Sequence, residues 1–207
     1  MKVIKPSVQL LFPSDFLEIQ EMLFNIELAA RTCYKSEGKI KNTPDIDFIT
    51  DKIKKEHLSV IEHGFATVKI ICDRGISHEI VRHRIASYSQ ESTRYCNYSK
   101  DKFDNEITFI KPSYLKEETI DYLVWEKAMK EAESAYFDLL SLGRTPQEAR
   151  AVLPNSLKTE LIMTANFREW RHFLKLRLDK AAHPQMREIA KMLLIELQTI
   201  PIIFDDF

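Results

Sequence analysis

Glycine is the residue this chain almost does without. Four occur in 207 residues, at positions 38, 64, 75 and 143. A phosphate-cradling P-loop and a dinucleotide-binding GxGxxG turn each need at least two closely spaced glycines, because backbone must approach the ligand where no Cβ fits. Neither pattern is present, so a nucleotide cannot be held here by a Rossmann crevice or a Walker loop. Any phosphate must be held by side chains. The formal net charge is −1, so that attraction has to come from local clusters rather than from an overall basic surface.

The remaining bulk features fit an ordinary globular chain. Hydrophobic residues make up 44% and charged residues 29%, and the length suits one domain spanning 1–207. Cys33, Cys72 and Cys96 are odd in number and form no CxxC pair, which points away from a disulfide framework and toward a reducing, cytoplasmic setting. The first residues carry no signal-like apolar stretch, and no run approaches the roughly 18 apolar residues that span a bilayer.

Local patterns predict mixed elements. Residues 3–11 read as a strand, and Ser14 as the cap of a helix carrying Phe16, Leu17, Ile19, Leu23, Ile26 and Leu28. A second helix is expected over 45–56. Phe65–Cys72 alternates, with Ala66, Val68, Ile70 and Cys72 on one face, as a strand should. Gly75 is read as a turn, and Ser77 as the cap of a short helix reaching Arg82. A short strand falls at 107–110. The longest helix covers 117–142, with Ile120, Leu123, Val124, Ala128, Ala135, Leu139 and Leu142 expected on its inner side and Gly143 after its C-cap. Thr145-Pro146-Gln147-Glu148 is a capping box with proline at the first helical position, and its helix is expected to end by Pro154. A strand at 158–165 and helices at 167–177 and 184–198 complete the chain. Strands and helices do not alternate steadily, so the class is α+β: a single domain with a mixed or antiparallel sheet packed by helices.

Polar chemistry concentrates in two windows. His57, His63, His78 and His83 lie in the first; His172 and His183 lie in the second. Residues 166–191 hold seven Lys/Arg against three Asp/Glu, a local excess of positive charge suited to a phosphorylated ligand. His78 and His83 are five residues apart, about 500° around a helix, so they cannot share a zinc the way an i, i+4 pair does. No Gly-rich elbow surrounds a serine. Cys96 is the sole candidate thiol nucleophile and has no evident activating partner.

Arg82-His83-Arg84, seven residues, then Ser92 resembles the signature of the flavin-dependent thymidylate synthases, the thymidylate synthase-complementing type. Ile85-Ala86-Ser87-Tyr88 and Arg94-Tyr95 resemble its flanks. Upstream, His57-Leu58-Ser59-Val60-Ile61-Glu62-His63 is similar to the family's preceding segment. Downstream, Glu148-Ala149-Arg150-Ala151-Val152-Leu153-Pro154 resembles its arginine-bearing helix. Asn166-Phe167-Arg168, His172, Leu176-Arg177 and His183-Pro184-Gln185 resemble its last active-site segment. The matches fall in family order over roughly residues 57 to 190.

The resemblance implies reductive methylation of dUMP to dTMP. Methylenetetrahydrofolate would be the one-carbon donor, FAD the hydride carrier and NADPH its reductant, without a cysteine nucleophile. It implies Arg177 at the uracil, where a fixed cation favours the ionised ring. It implies dUMP contacts from Glu79, Ile80, Val81, Arg82, Gln90, Glu91, Ser92, Thr93, Arg94, Arg150 and Arg177. It implies FAD contacts from Ser59, Arg82, His83, Arg84, Gln90, Asn166, Phe167, Arg168 and His172, although the Phe167 ring, like Trp170 and Phe173, reads by itself as core. It further implies a homotetramer with sites at subunit junctions, and no metal, nucleic acid or membrane partner. Glu79 departs from the family, where Gln is common; a carboxylate repels phosphate, so this side chain is expected to turn toward an arginine.

Taken singly, the same residues have plainer readings. Arg82 and Arg84 could be surface charges at a helix end. Arg168 and His172 could form a solvated stripe, and Arg177 a snorkelling arginine. His57 and His63 could be core or capping residues, and Cys33 and Cys72 small buried apolar ones. A flavoprotein of other chemistry and a nucleic-acid module using Tyr88, Tyr95 and Tyr98 for stacking are the alternative functions. The chain's slightly acidic balance argues against the second.

Overall fold

The computed structural model describes residues 1–100 and 105–207. Two sheets form among them: a two-stranded parallel pair, and a four-stranded antiparallel sheet made, in spatial order, by Ser7–Phe12, Phe65–Asp73, Lys158–Asn166 and Ala86–Gln90, which are β2, β3, β6 and β4. The expected strand at 3–11 is in fact two, β1 (Lys2–Ile4) and β2 (Ser7–Phe12). Pro6 lies between them; it has no backbone N–H to give to a ladder, and the chain changes sheets there. β1 pairs in parallel with β5 (Thr108–Ile110), Lys2 opposite Thr108 and Ile4 opposite Ile110. β3 (Phe65–Asp73) buries Ala66, Val68, Ile70 and Cys72, the alternation its sequence carries. β4 (Ala86–Gln90) had no apolar signal to mark it, and β6 spans Lys158–Asn166.

The backbone groups into two compact units. The first comprises Met1–Ser7, Ile70–Arg82 and Ser89–Leu161. Its core is Ile107, Phe109, Met129, Tyr136, Ala149 and Leu157. The helix α4 (Ile120–Ser141) meets this core with Met129 and Tyr136. The inner face expected from its aliphatic residues holds only toward its end: Leu139 packs against the core, but Ile120, Leu123, Val124 and Leu142 are 82%, 52%, 65% and 79% exposed. Two apolar stripes share this helix, and the one bearing the larger Trp125, Met129 and Tyr136 side chains is the one that turns inward. Gly143 follows with φ +84°, a conformation that costs a glycine little. The capping box forms as expected, Thr145 donating from N–H and Oγ1 to Glu148 at 2.9 Å each. Its helix α5 (Pro146–Ala149) is one turn long and continues as a 3-10 turn, Arg150–Val152. In α3 (Arg74–Ile80) the cap is Asp73, not Ser77, and Gly75 lies inside the first turn rather than ending one. The Ser77 hydroxyl instead donates to the Arg74 carbonyl at 2.9 Å.

The second unit comprises Val8–Lys69, His83–Tyr88 and Ile162–Phe207. Its first helix, α1 (Phe16–Cys33), is capped by Asp15; Ser14 donates its N–H and hydroxyl to the Glu18 carboxylate instead. Leu23 and Ile26 are fully buried, whereas Phe16, Leu17 and Leu28 face outward. After α2 (Ile46–Lys54), a 3-10 turn at Leu58–His63 leads to Gly64. The Phe167 ring packs directly on that glycine. α6 (Phe167–Arg177) has the bounds its sequence predicts; Asn166 caps it by accepting from Glu169 N–H at 2.8 Å. α7 (Pro184–Leu197) is capped by the His183 ring. Cys72 is buried as expected, but Cys33, at the end of α1, is exposed. No helix of the described residues is long and apolar enough to cross a membrane.

Candidate active site

In the first unit, one turn of α3 and the segment after β4 face the turn that carries Arg150. They enclose a cleft of about 340 Å³ lined by Arg74, His78, Thr93, Arg150, Pro154 and Asn155, among others. Arg150 donates to Thr93 Oγ1 at 3.0 Å, and Arg74 donates to the Glu91 carbonyl at 3.3 Å. Three basic side chains with adjacent hydroxyl and amide groups suit an anion carrying several oxygens. Thr93 and Arg150 were expected in such a place. Arg74 and His78 were not, although their i, i+4 spacing puts both on one helix face and is a legible signal.

The other nucleotide candidates stand apart from the lining of that cleft. Gln90 donates its amide to Ser77 Oγ at 2.9 Å and to Thr159 Oγ1 at 3.2 Å. Glu91 is paired with Lys158 at 3.0 Å. Burial works against the Lys158 ammonium, but its bonds to Glu91 and Glu160 outweigh it and raise the pKa. Ser92 Oγ accepts from Arg94 N–H at 3.3 Å, and the exposed Arg94 guanidinium lies 5.7 Å from the Tyr95 ring centre. Glu79 is half-buried and its carbonyl accepts from Arg82 N–H at 3.2 Å. Val81 and Arg82 are exposed. Ile80 is fully buried, so its side chain is core and a ligand would meet only its backbone.

In the second unit, His83 anchors a compact polar cluster. It is 5% exposed, its ring 4.5 Å from Phe173 and edge-on to His172 at 5.7 Å. Its Nδ1 is 3.0 Å from a Glu169 carboxylate oxygen, and Arg177 Nε donates to its Nε2 at 3.1 Å. Arginine Nε is always a donor, so Nε2 must accept. The single proton of the imidazole therefore sits on Nδ1, pointing at Glu169. Burial lowers the His83 pKa; Glu169 opposes this, and Arg177 and His172 reinforce it. The Tyr88 hydroxyl donates to the His83 carbonyl at 2.6 Å.

His83, Glu169 and His172 also offer ligand atoms within 4.8 Å of one another. Both ring nitrogens of His83 already have partners, however, so a metal would have to break one of these bonds.

Beside this cluster, a cleft of about 360 Å³ is lined by residues that include Lys54, Leu58, Arg168, Arg171, His172 and Lys175. Arg168 and His172 were expected here; Arg171 and Lys175 were not singled out, although both fall within the basic stretch 166–191 read as suited to a phosphorylated ligand. Arg168 pairs with Glu62 at 2.6 Å on the exposed side. Ser59 and Arg84 are exposed, and the Asn166 side chain is engaged as the α6 cap. Phe167 is fully buried, so its ring is core, and as an expected FAD residue it could offer only backbone.

The chain has an α+β fold built on the four-stranded antiparallel sheet β2-β3-β6-β4. The solved structure of Helicobacter pylori thymidylate synthase X with FAD and dUMP shares this one, with a TM-score of 0.73 and 25% identity, over 97% of this chain and 98% of that one. The chain belongs to the thymidylate synthase complementing protein family, whose sequence profile matches residues 18–201. It is 39% identical over 142 residues to the flavin-dependent thymidylate synthase of Pyrococcus furiosus; the match takes in 68% of this chain and 57%, little more than half, of that protein. It is 38% identical over 189 residues to the Geobacter sulfurreducens flavin-dependent thymidylate synthase, 87% of this chain and 80% of that protein.

Proposed function

We propose that the chain is a flavin-dependent thymidylate synthase. It would convert dUMP to dTMP with methylenetetrahydrofolate as one-carbon donor and FAD, reduced by NADPH, as hydride carrier. The observation that carries the reading is the convergence of Arg74, His78 and Arg150 on one cleft, in a chain of this family. A phosphate monoester is matched by guanidinium forks and a hydroxyl donor.

In this reading Arg150 and Thr93, with Arg74 and His78, take the dUMP phosphate. Ser92, Arg94, Gln90, Glu91 and the backbone of Glu79–Arg82 complete the nucleotide contacts. Arg177 lies at the uracil and stabilises negative charge developing on the ring. No thiol is needed.

The donor set of the second unit fits a dinucleotide cofactor. Arg168, Arg171 and Lys175 are cations for a pyrophosphate, with His172 and Leu58 as flatter contacts. Ser59, His83, Arg84 and Asn166 belong to the same proposed set, and Arg82, the last residue of its segment in the first unit, is proposed for FAD as well as for dUMP. Bound FAD supplies the hydride; the protein's part is to orient it and exclude water. The chain acts as one catalytic domain in a cytoplasmic homotetramer with sites at subunit junctions.

The test is the absorption spectrum with and without dUMP. The purified protein is expected to be yellow, or to become so with FAD, and dUMP is expected to perturb the flavin bands. Arg177→Ala should nearly abolish methyl transfer while FAD stays bound. A colourless protein that takes up no FAD overturns the reading. A yellow protein indifferent to dUMP points instead to a flavoprotein of other chemistry.

A further inference from the structure

Glu169 and His83 form a chain of hydrogen bonds that ends on Arg177. We infer that Glu169 is a positioning residue: through the Nδ1–H tautomer of His83 it fixes the direction of the Arg177 guanidinium. The inference rests on the proposal that Arg177 meets the uracil.

Two observations and one rule of imidazole chemistry carry it. Glu169 is 8% exposed and His83 5%, so the bond between them is shielded from solvent, and the bond from Arg177 to the same ring is part-buried. The bonds at 3.0 and 3.1 Å use opposite nitrogens of one ring. A neutral imidazole has one donor and one acceptor, so fixing either nitrogen's role fixes the other's. A carboxylate on Nδ1 assigns the proton there, and Nε2 is left as the acceptor that Arg177 Nε requires. A protonated ring would set two N–H groups head to head and break the link.

The two contacts are also arranged for this purpose along the chain. Glu169 lies in the first turn of α6 and Arg177 is its last residue. His83 spans the helix side between them, braced by the Phe173 ring and by the Tyr88 bond to its carbonyl. The groups facing its ring are Glu169, His172 and Arg177, all from α6. A guanidinium at the end of a helix would ordinarily sample several rotamers; here its Nε is tied to a buried ring, which removes much of that freedom before any ligand binds.

The experiment is a double-mutant cycle of Glu169→Ala and Arg177→Ala in the FAD-loaded protein. It is read as the dissociation constant of dUMP from the flavin spectral change and as single-turnover methyl transfer. Glu169→Ala alone should weaken each by roughly tenfold, the scale of one buried, charge-assisted hydrogen bond. In the Arg177→Ala background it should change neither further. Glu169→Gln should restore most of the loss, since its amide oxygen can still accept from Nδ1–H. If Glu169→Ala does not fold, His83→Phe keeps the ring packing, removes both bonds and enters the same cycle. Equal losses from Glu169→Ala with and without Arg177 overturn the inference. Nitrogen-15 spectra that place the His83 proton on Nε2 overturn it as well. Should Arg177→Ala alone leave dUMP binding and turnover intact, the role proposed for Arg177 fails, an outcome distinct from additivity.

Discussion

Gly64 and Phe167 touch so closely that residue 64 can carry no side chain. A Cβ placed there would lie 2.3 Å from Phe167 Cε2 and 2.6 Å from Cδ2, while Phe167 N–H donates to the Gly64 carbonyl at 2.9 Å. The backbone at Gly64 has φ −106°, open to any residue, so the constraint is steric alone. Gly64→Ala should therefore destabilise the fold by roughly 1–3 kcal/mol, the usual cost of overpacking a core. Urea unfolding measures this, and an unchanged midpoint would contradict the packing.

The Arg150–Thr93 bond gives a second prediction. Arg150→Ala should raise the dUMP dissociation constant about 10- to 100-fold, as expected for losing a charge-assisted contact to phosphate, with FAD content unchanged. Arg150→Lys should recover only part, because an ammonium cannot reach Thr93 and a phosphate oxygen in one fork. Titration of the flavin spectrum with dUMP reads both. A loss of FAD with dUMP binding intact would reverse the assignment of the two clefts.

The buried imidazole sets a pH dependence. Its pKa is lowered from 6.5 in the folded chain, first by burial. Below about 6.5 the unfolded imidazole takes up a proton that the folded one resists, so stability is full above that pH and falls as the pH drops toward the folded value. Unfolding free energies from about pH 5 to 7 should show this slope in the wild type and lose part of it in His83→Phe. Identical slopes would remove His83 as the source.

The thiols give a fourth. Burial pushes the Cys72 thiol up to about 12, so at neutral pH it should resist iodoacetamide while the exposed Cys33 is modified. Peptide mapping distinguishes them. Cys96→Ala should leave turnover within about twofold of wild type, because no thiol adds to the uracil in the mechanism proposed. Loss of turnover in a folded Cys96→Ala protein would restore a thiol to it.

What the sequence made legible was local. α6 could be bounded because Asn166 is a good cap and the apolar residues behind it follow a 3.6-residue period. The Thr145–Glu148 box was readable for the same reason. β4 was not, since Ala86-Ser87-Tyr88-Ser89-Gln90 alternates without an aliphatic face. The inward side of α4 was misread because two apolar stripes compete on it, and only packing against Phe109 and its neighbours decides between them. Of the site, His83, Arg150, Arg168, His172 and Arg177 could be named from the family resemblance, whereas Arg74, His78 and Arg171 could not. The bonds that organise them could not, since Glu169 and His83 are 86 residues apart and nothing local marks their meeting.

The anchoring of Arg177 through Nε has a consequence for what that position can tolerate. A guanidinium is a branched cation: one nitrogen can be moored while two others, on the far side of the same rigid plane, carry the charge elsewhere. Mooring and the proposed contact with the ligand thus fall to different atoms of one group. A lysine ammonium also has several N–H groups, but they radiate from one nitrogen, so a bond to His83 would pin the very atom that has to face the ligand. With the role proposed for Arg177, the requirement at position 177 is for a shape as much as for a charge, imposed from the protein side of the residue as well as from the substrate side.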